Sequence, residues 1–212
     1  MRSKHLTAFA GTLLVAAILA TPLAGQTAAK TAEQLKASFD AHKNDFDYLL
    51  GDWEFTAASH QWGAFRGYWS AVRLTEGGQI LDEYRIVGDH GETYYCTTTL
   101  RSYDAALEQW ELISSDGGKG LQDFGTGRLE GGEMHIEQKF GVTTPNPSIF
   151  RIRYYGIAAD HFSWSGDRST DGGKTWDKNF LQIEARRIGP ARSLGPLAPA
   201  RKSTGATAND HR

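Results

Sequence analysis

From Trp53 to Arg187 the chain alternates apolar and polar residues with a period of two, and clusters of turn-forming residues interrupt the alternation about every 8 to 12 residues. A period of two sends successive side chains to opposite faces of a strand, so the chain must find a way to hide one face of a sheet. The turn clusters read "EGG", "GDHG", "SDGG", a second "EGG", "TPNP", "AAD" and "DGG". Between them the spacing predicts strands at Trp53 to Ser59, Ala64 to Thr75, Gln79 to Val87, Thr93 to Tyr103 and Glu108 to Ser114. Five more are expected at Leu121 to Leu129, Glu133 to Gly141, Phe150 to Ile157, His161 to Ser169 and Thr175 to Arg187. Ten short strands in meander order leave two open edges unless the sheet closes, and closure removes them. The expected fold is all-β, an antiparallel up-and-down barrel of about ten strands. A barrel of this girth has an interior wide enough for a small ligand.

The flanks behave differently. "TAEQLKASFDAHK" carries a capping box at Thr31 and Gln34 and an apolar pair at Leu35 and Phe39, which predicts one short helix over residues 31–43. Before it, Arg2 and Lys4 precede an apolar run from Phe9 to Ala20 that is short for a bilayer span, the pattern of an export signal over residues 1–29. Small residues between Ala24 and Ala29 offer cleavage points, and the absence of cysteine there argues against a lipid anchor. The expectation is a periplasmic or secreted protein without a stable membrane anchor. Its barrel domain covers residues 30–188, followed by a Pro-, Ala- and Gly-rich flexible tail over 189–212. Without residues 1–29 the chain holds 21 basic and 25 acidic residues, a balance that offers nucleic acid no basic footprint. Cys96 is the one cysteine, so no internal disulfide is expected; it reads as a small buried hydrophobe. No Cys/His set stands at metal-ligand spacing, so neither a metal nor another cofactor is indicated.

Two motifs bracket the strands. In "FDYLLGDWEF" the G-x-W at Gly51 and Trp53 resembles the lipocalin and calycin arrangement. That resemblance implies a Trp plate sealing one barrel end, with Arg186 or Arg187 of the last strand stacked across it. Near the other end, "STDGGKTW" matches the S-x-D-x-G-x-T-W Asp-box of sialidase propellers, but the chain is too short for a propeller of several blades. The same residues suit a hairpin: Asp171 accepts backbone N–H groups, Gly172 and Gly173 take positive φ, and Trp176 buries its ring on the next strand. "SSDGGKG" at Ser114 to Gly120 repeats the turn without Thr-Trp, which favours a structural role for both copies. Together the two end motifs resemble an uncharacterised bacterial secreted family with lipocalin-like barrels, a resemblance that covers most of residues 45–187. It implies a fold rather than an activity.

Ligand-binding candidates follow from the strand pattern. Trp62, Trp69, Tyr84, Tyr94, Trp110 and Trp164 come from many strands, and a barrel gathers some of them inside, although a filled core needs the same residue types. On "LDEYRIV" the charged Glu83 and Arg85 share a face with Leu81 and Val87; facing a lumen they would pair and anchor a ligand. On "FRIRYY" the apolar set Phe150, Ile152 and Tyr154 is expected inside, and Arg151 and Arg153 outside. "HGE" and "HIE" lack the P-C-x-x-C of zinc deaminases, and no standard catalytic motif is present. The leading expectation is a barrel that binds a small apolar or aromatic molecule. One alternative is a lumenal acid/base enzyme of isomerase or hydrolase type built on Glu83 with Arg85 or a tyrosine. Another is a nitrobindin-like haem binder with His161 as iron ligand.

Overall fold

The computed structural model describes residues 29–74 and 78–194; the expected export signal and most of the expected tail lie outside them. Helix α1, Ala32–His42, starts at Thr31, whose hydroxyl accepts the Gln34 N–H while the Gln34 side chain accepts the Thr31 N–H. No residue of this helix is buried, and Ser38 touches the barrel through the Tyr103 hydroxyl. The chain then makes one 3₁₀ turn, Asp47–Leu49, that drives Phe46 and Leu49 completely out of solvent.

Ten antiparallel strands follow: β1 Gly51–Ser59, β2 Gly63–Leu74, β3 Ile80–Val87, β4 Thr93–Asp104, β5 Gln109–Asp116, β6 Gly120–Glu130, β7 Glu133–Phe140, β8 Ser148–Tyr155, β9 His161–Ser169 and β10 Asp177–Gly189. Each pairs with its sequence neighbour, and β1 also pairs with β10, so the sheet closes into an up-and-down barrel. The chain does not leave the barrel after Ile188. Arg192–Leu194 forms β11, parallel to β2 at Val72 to Leu74, just beyond the point where β1 begins opposite Ala71. The start of the expected tail is therefore paired, because it covers backbone groups of β2 that closure alone leaves bare.

Alternation delivers Phe150, Ile152 and Tyr154 inward and Arg151 and Arg153 outward, as their spacing predicts. Cys96 departs from expectation. It sits opposite Arg85 on the outer face of β4, half-buried, because β4 turns Tyr95, Thr97, Thr99 and Arg101 inward instead.

One end of the barrel is plugged. Trp53 is fully buried, its indole N–H donates to the Leu49 carbonyl at 2.8 Å, and its ring meets Phe162 edge-on. Of the two expected arginines, Arg187 is the one that covers it, 4.1 Å from the ring centroid. The guanidinium also donates to the Tyr48 and Ala159 carbonyls at 3.0 and 2.6 Å, tying the plug to the last strand. Arg186 faces outward to Glu54. Gly51 is required here: its φ is +110°, and a Cβ would lie 2.5 Å from the Arg187 guanidinium.

The opposite end carries the β1–β2, β3–β4, β5–β6, β7–β8 and β9–β10 connections. In the last of these, Asp171 accepts the Lys174 and Thr175 N–H groups, both at 3.0 Å, and the Thr175 hydroxyl at 2.6 Å. Gly172 and Gly173 have φ of +76° and +89°. The Trp176 ring is half-buried rather than sunk into the next strand; its N–H donates to the Gly173 carbonyl, and Arg151 stacks 4.1 Å above it. The β5–β6 copy closes a hairpin by other means. Asp116 binds the Lys119 ammonium, and Ser114 turns into the barrel.

Candidate functional site

Between the plug and the open end lies a cavity of about 570 Å³, lined by side chains of β2 through β10 and by Trp62, Thr144 and Asn146 from the open-end connections. Its walls differ in chemistry. Strands β3 to β6 place Asp82, Thr99, Ser114 and Asp123 in register, each directly opposite the next, so one buried polar band crosses four strands. The remaining circumference is mostly aromatic and aliphatic, with Trp69, Phe150, Ile152, Tyr154, Trp164 and Ile183, interrupted by Gln138 on β7 and, toward the mouth, by Ser148 and Arg168. A lumen with one polar wall and one apolar wall can orient an amphipathic molecule.

At the plugged end the polar band terminates in an ion pair. Arg101 Nε donates to Asp82 Oδ2 at 2.6 Å, and the two side chains are 3% and 1% exposed. Trp69 Nε1 donates to the other carboxylate oxygen at 2.8 Å, and the guanidinium lies 4.8 Å from the Phe46 ring centroid. Burial opposes the charge on Arg101, but the Asp82 carboxylate offsets it, and the guanidinium pKa stands above its ordinary value. Arg101 Nη1 and the Tyr48 hydroxyl are buried without a hydrogen-bond partner. Donors kept dry in this way are costly, and they concentrate hydrogen-bonding capacity at the cavity floor. Burial pushes the Tyr154 phenol up to about 12 and the Tyr84 phenol higher still, so both are neutral hydrogen-bonding groups at physiological pH.

Nearer the open end is a second carboxylate in a different state. Asp123 is 3% exposed. Its Oδ2 accepts the Ser114 hydroxyl at 2.6 Å and its Oδ1 accepts the Gly141 N–H at 3.3 Å. Both partners are neutral, and desolvation raises its pKa above the ordinary carboxylate value in spite of them.

Of the residues expected to bind a ligand, Trp69, Tyr84 and Trp164 line the cavity, and Trp62 stands at its mouth, 58% exposed and edge-on to Phe180. The others do not. Glu83 and Arg85 lie on the outer face of β3, where Arg85 stacks on Tyr68; the inward set is Asp82, Tyr84 and Ile86. Tyr94 is 70% exposed and donates to Glu92 at 2.6 Å, because β4 points Tyr95 inward. Trp110 is buried in the plug against Phe46, below the cavity, and its N–H reaches Asp45 at 3.3 Å. His161 is on the outer face of β9 beside Asp160, since Phe162 and Trp164 take the inward positions. The acid/base reading thereby loses its base, and the haem reading its iron ligand. Asp82, Arg101 and Asp123, together with Arg168 at the mouth, are lumenal charges that the sequence pattern did not single out. The available signal for the first three was their shared parity with Tyr84, with Tyr95 and Tyr103, and, across the sheet, with Phe140.

No model of a known family matches the chain, and no curated protein does. Among solved structures, the crystal structure of Rv2717c from M. tuberculosis is similar to this chain at 14% identity and a TM-score of 0.49, covering 71% of this chain and 97% of that one. At that distance no residue role passes from one to the other.

Proposed function

We propose that this protein is an exported barrel that binds a small amphipathic molecule in its lumen, apolar or aromatic over most of its surface. In this reading it is a member of the secreted family that its two end motifs resemble. The observation that carries the proposal is the cavity of about 570 Å³, which joins aromatic walls to a buried polar band. Packed interiors rarely leave voids larger than a water molecule, so an opening of this size in a plugged barrel needs a use. Export rests on the basic and apolar pattern of residues 1–20.

Native mass spectrometry of the protein purified from its own periplasm tests the reading. The expected result is a retained small molecule and a mature chain beginning between residues 25 and 30. In Thr97→Phe, which fills the half-buried lumenal position of Thr97, the retained molecule is lost while the melting temperature holds. Wild-type protein that carries nothing and quenches no lumenal tryptophan with any hydrophobic probe overturns it.

A further inference from the structure

Asp123 is a carboxylate placed in a cavity wall without a counter-charge. The contrast with Asp82, which shares the same band, defines the problem. Asp82 has a guanidinium on one oxygen and an indole N–H on the other, so its charge is fully answered within the protein. Asp123 has a hydroxyl and a backbone amide, and among the described residues it belongs to no ion pair. A buried carboxylate with only neutral donors costs several kcal/mol unless a cation completes it or a proton neutralises it. The remaining charged and titratable groups facing the lumen do not supply the cation. Arg101 is engaged by Asp82; Tyr84, Tyr95 and Tyr154 have raised pKa values and stay neutral; Asp116 holds Lys119 at the rim. Arg168, at the mouth, donates to Gln61 and Ser148 and stacks on Phe180. The lumen that Asp123 lines also carries the rings of Trp69, Tyr84, Tyr154 and Trp164, surfaces that favour both flat rings and cations.

We propose that the lumen selects an aromatic organic amine, whose protonated nitrogen pairs with Asp123 while its ring lies against the Trp69, Tyr154 and Trp164 wall. This rests on the lumenal binding proposed above and adds the chemical class of the ligand. Charge-assisted hydrogen bonds to a desolvated carboxylate are stronger than neutral ones, so the amine gains over an otherwise identical alcohol. An anionic analogue meets a like charge and is rejected.

Three matched probes test this by quenching of the lumenal tryptophans: naphthylmethylamine, naphthylmethanol and naphthoate. The amine is expected to bind about tenfold or more tighter than the alcohol at neutral pH, and naphthoate weakest. In Asp123→Asn the amine falls to the level of the alcohol, whose own affinity is unchanged and reports an intact lumen. A second readout needs no variant. Binding an ammonium lowers the Asp123 pKa from its raised ligand-free position, so the amine preference is full above that position and disappears as pH falls through the bound-state pKa. The amine itself stays protonated throughout, so the loss belongs to the protein. Equal binding of amine and alcohol, tighter binding of naphthoate, or a preference that survives both Asp123→Asn and acidification overturns the anchor and leaves the lumenal binding reading in place. Failure of all three probes to bind overturns the aromatic-amine proposal, while the lumenal binding reading is decided separately by the retained molecule.

Discussion

Asp82 and Arg101 meet where almost no water reaches them, and there the loss of one partner matters more than the presence of the pair. Asp82→Asn keeps an acceptor for Trp69 but turns an N–H toward the Arg101 Nε, leaving a buried cation facing a donor. The expected cost is about 3–5 kcal/mol in urea unfolding at neutral pH. Asp82→Asn combined with Arg101→Met removes the stranded charge and recovers a large part of that loss, because a well-packed apolar replacement avoids desolvating either ion. A single variant that loses less than about 1 kcal/mol would place the pair among weak surface bridges instead. Neither residue is conspicuous in the sequence. Arg101 follows three threonines and a leucine, a stretch that reads equally well as a solvated outer face, so parity with Tyr95 and Tyr103 hints at its inward direction and its partners across β3 and β5 fix it.

At the scale of the element, alternation identifies strands and pairs their faces but does not say which face is inside when both are mixed. β3 is the case in point. Ile80, Asp82, Tyr84 and Ile86 against Leu81, Glu83, Arg85 and Val87 give two faces of nearly equal apolarity, each with an acid. The sequence therefore predicts a lumenal carboxylate on this strand and misplaces it by one residue, enough to reverse its side. Trp110 shows the other limit: parity gives the face and not the depth along the barrel axis, so a plug residue and a cavity residue look alike. The turn of the β9–β10 hairpin was legible, apart from the depth of Trp176, because its chemistry is local. Asp171 accepts from three donor groups of Lys174 and Thr175 and from the Ser169 hydroxyl at 2.8 Å, all within a few residues. The Thr175 hydroxyl and N–H, then Ser169, hold its carboxyl far below the ordinary value of 3.8. A depressed folded-state pKa adds stability that is fully present above the unfolded value and is lost as pH falls toward the folded one. Asp171→Ala is accordingly expected to melt below wild type at neutral pH, with a gap that narrows only under acid below the ordinary carboxylate range, and to leave lumenal binding unchanged. A gap independent of pH, or a loss of binding without loss of stability, contradicts a purely structural clasp.

For the whole molecule, closure separates the barrel from the series of hairpins that compose it. Every pairing from β2 to β10 joins neighbours in sequence, whereas the seam brings Glu54 against Arg186, 132 residues away. Closing a loop of that length costs entropy that local hairpins do not incur, and non-local pairings form slowly. The seam is thus expected to close after the folding transition state, which is built from the central hairpins. Ile136 on β7 and Ile183 on β10 provide a matched comparison, since both are inward-facing and buried, one in the middle of the meander and one beside the seam. Ile→Val at either site removes one methylene for about 0.5–1.5 kcal/mol, large enough to apportion between rates. In stopped-flow chevrons Ile183→Val is expected to accelerate unfolding and leave folding nearly unchanged, while Ile136→Val slows folding by the larger share of its effect. The reverse order would mean that the ends of the chain meet first, with β1 and β10 forming the template on which the remaining strands assemble.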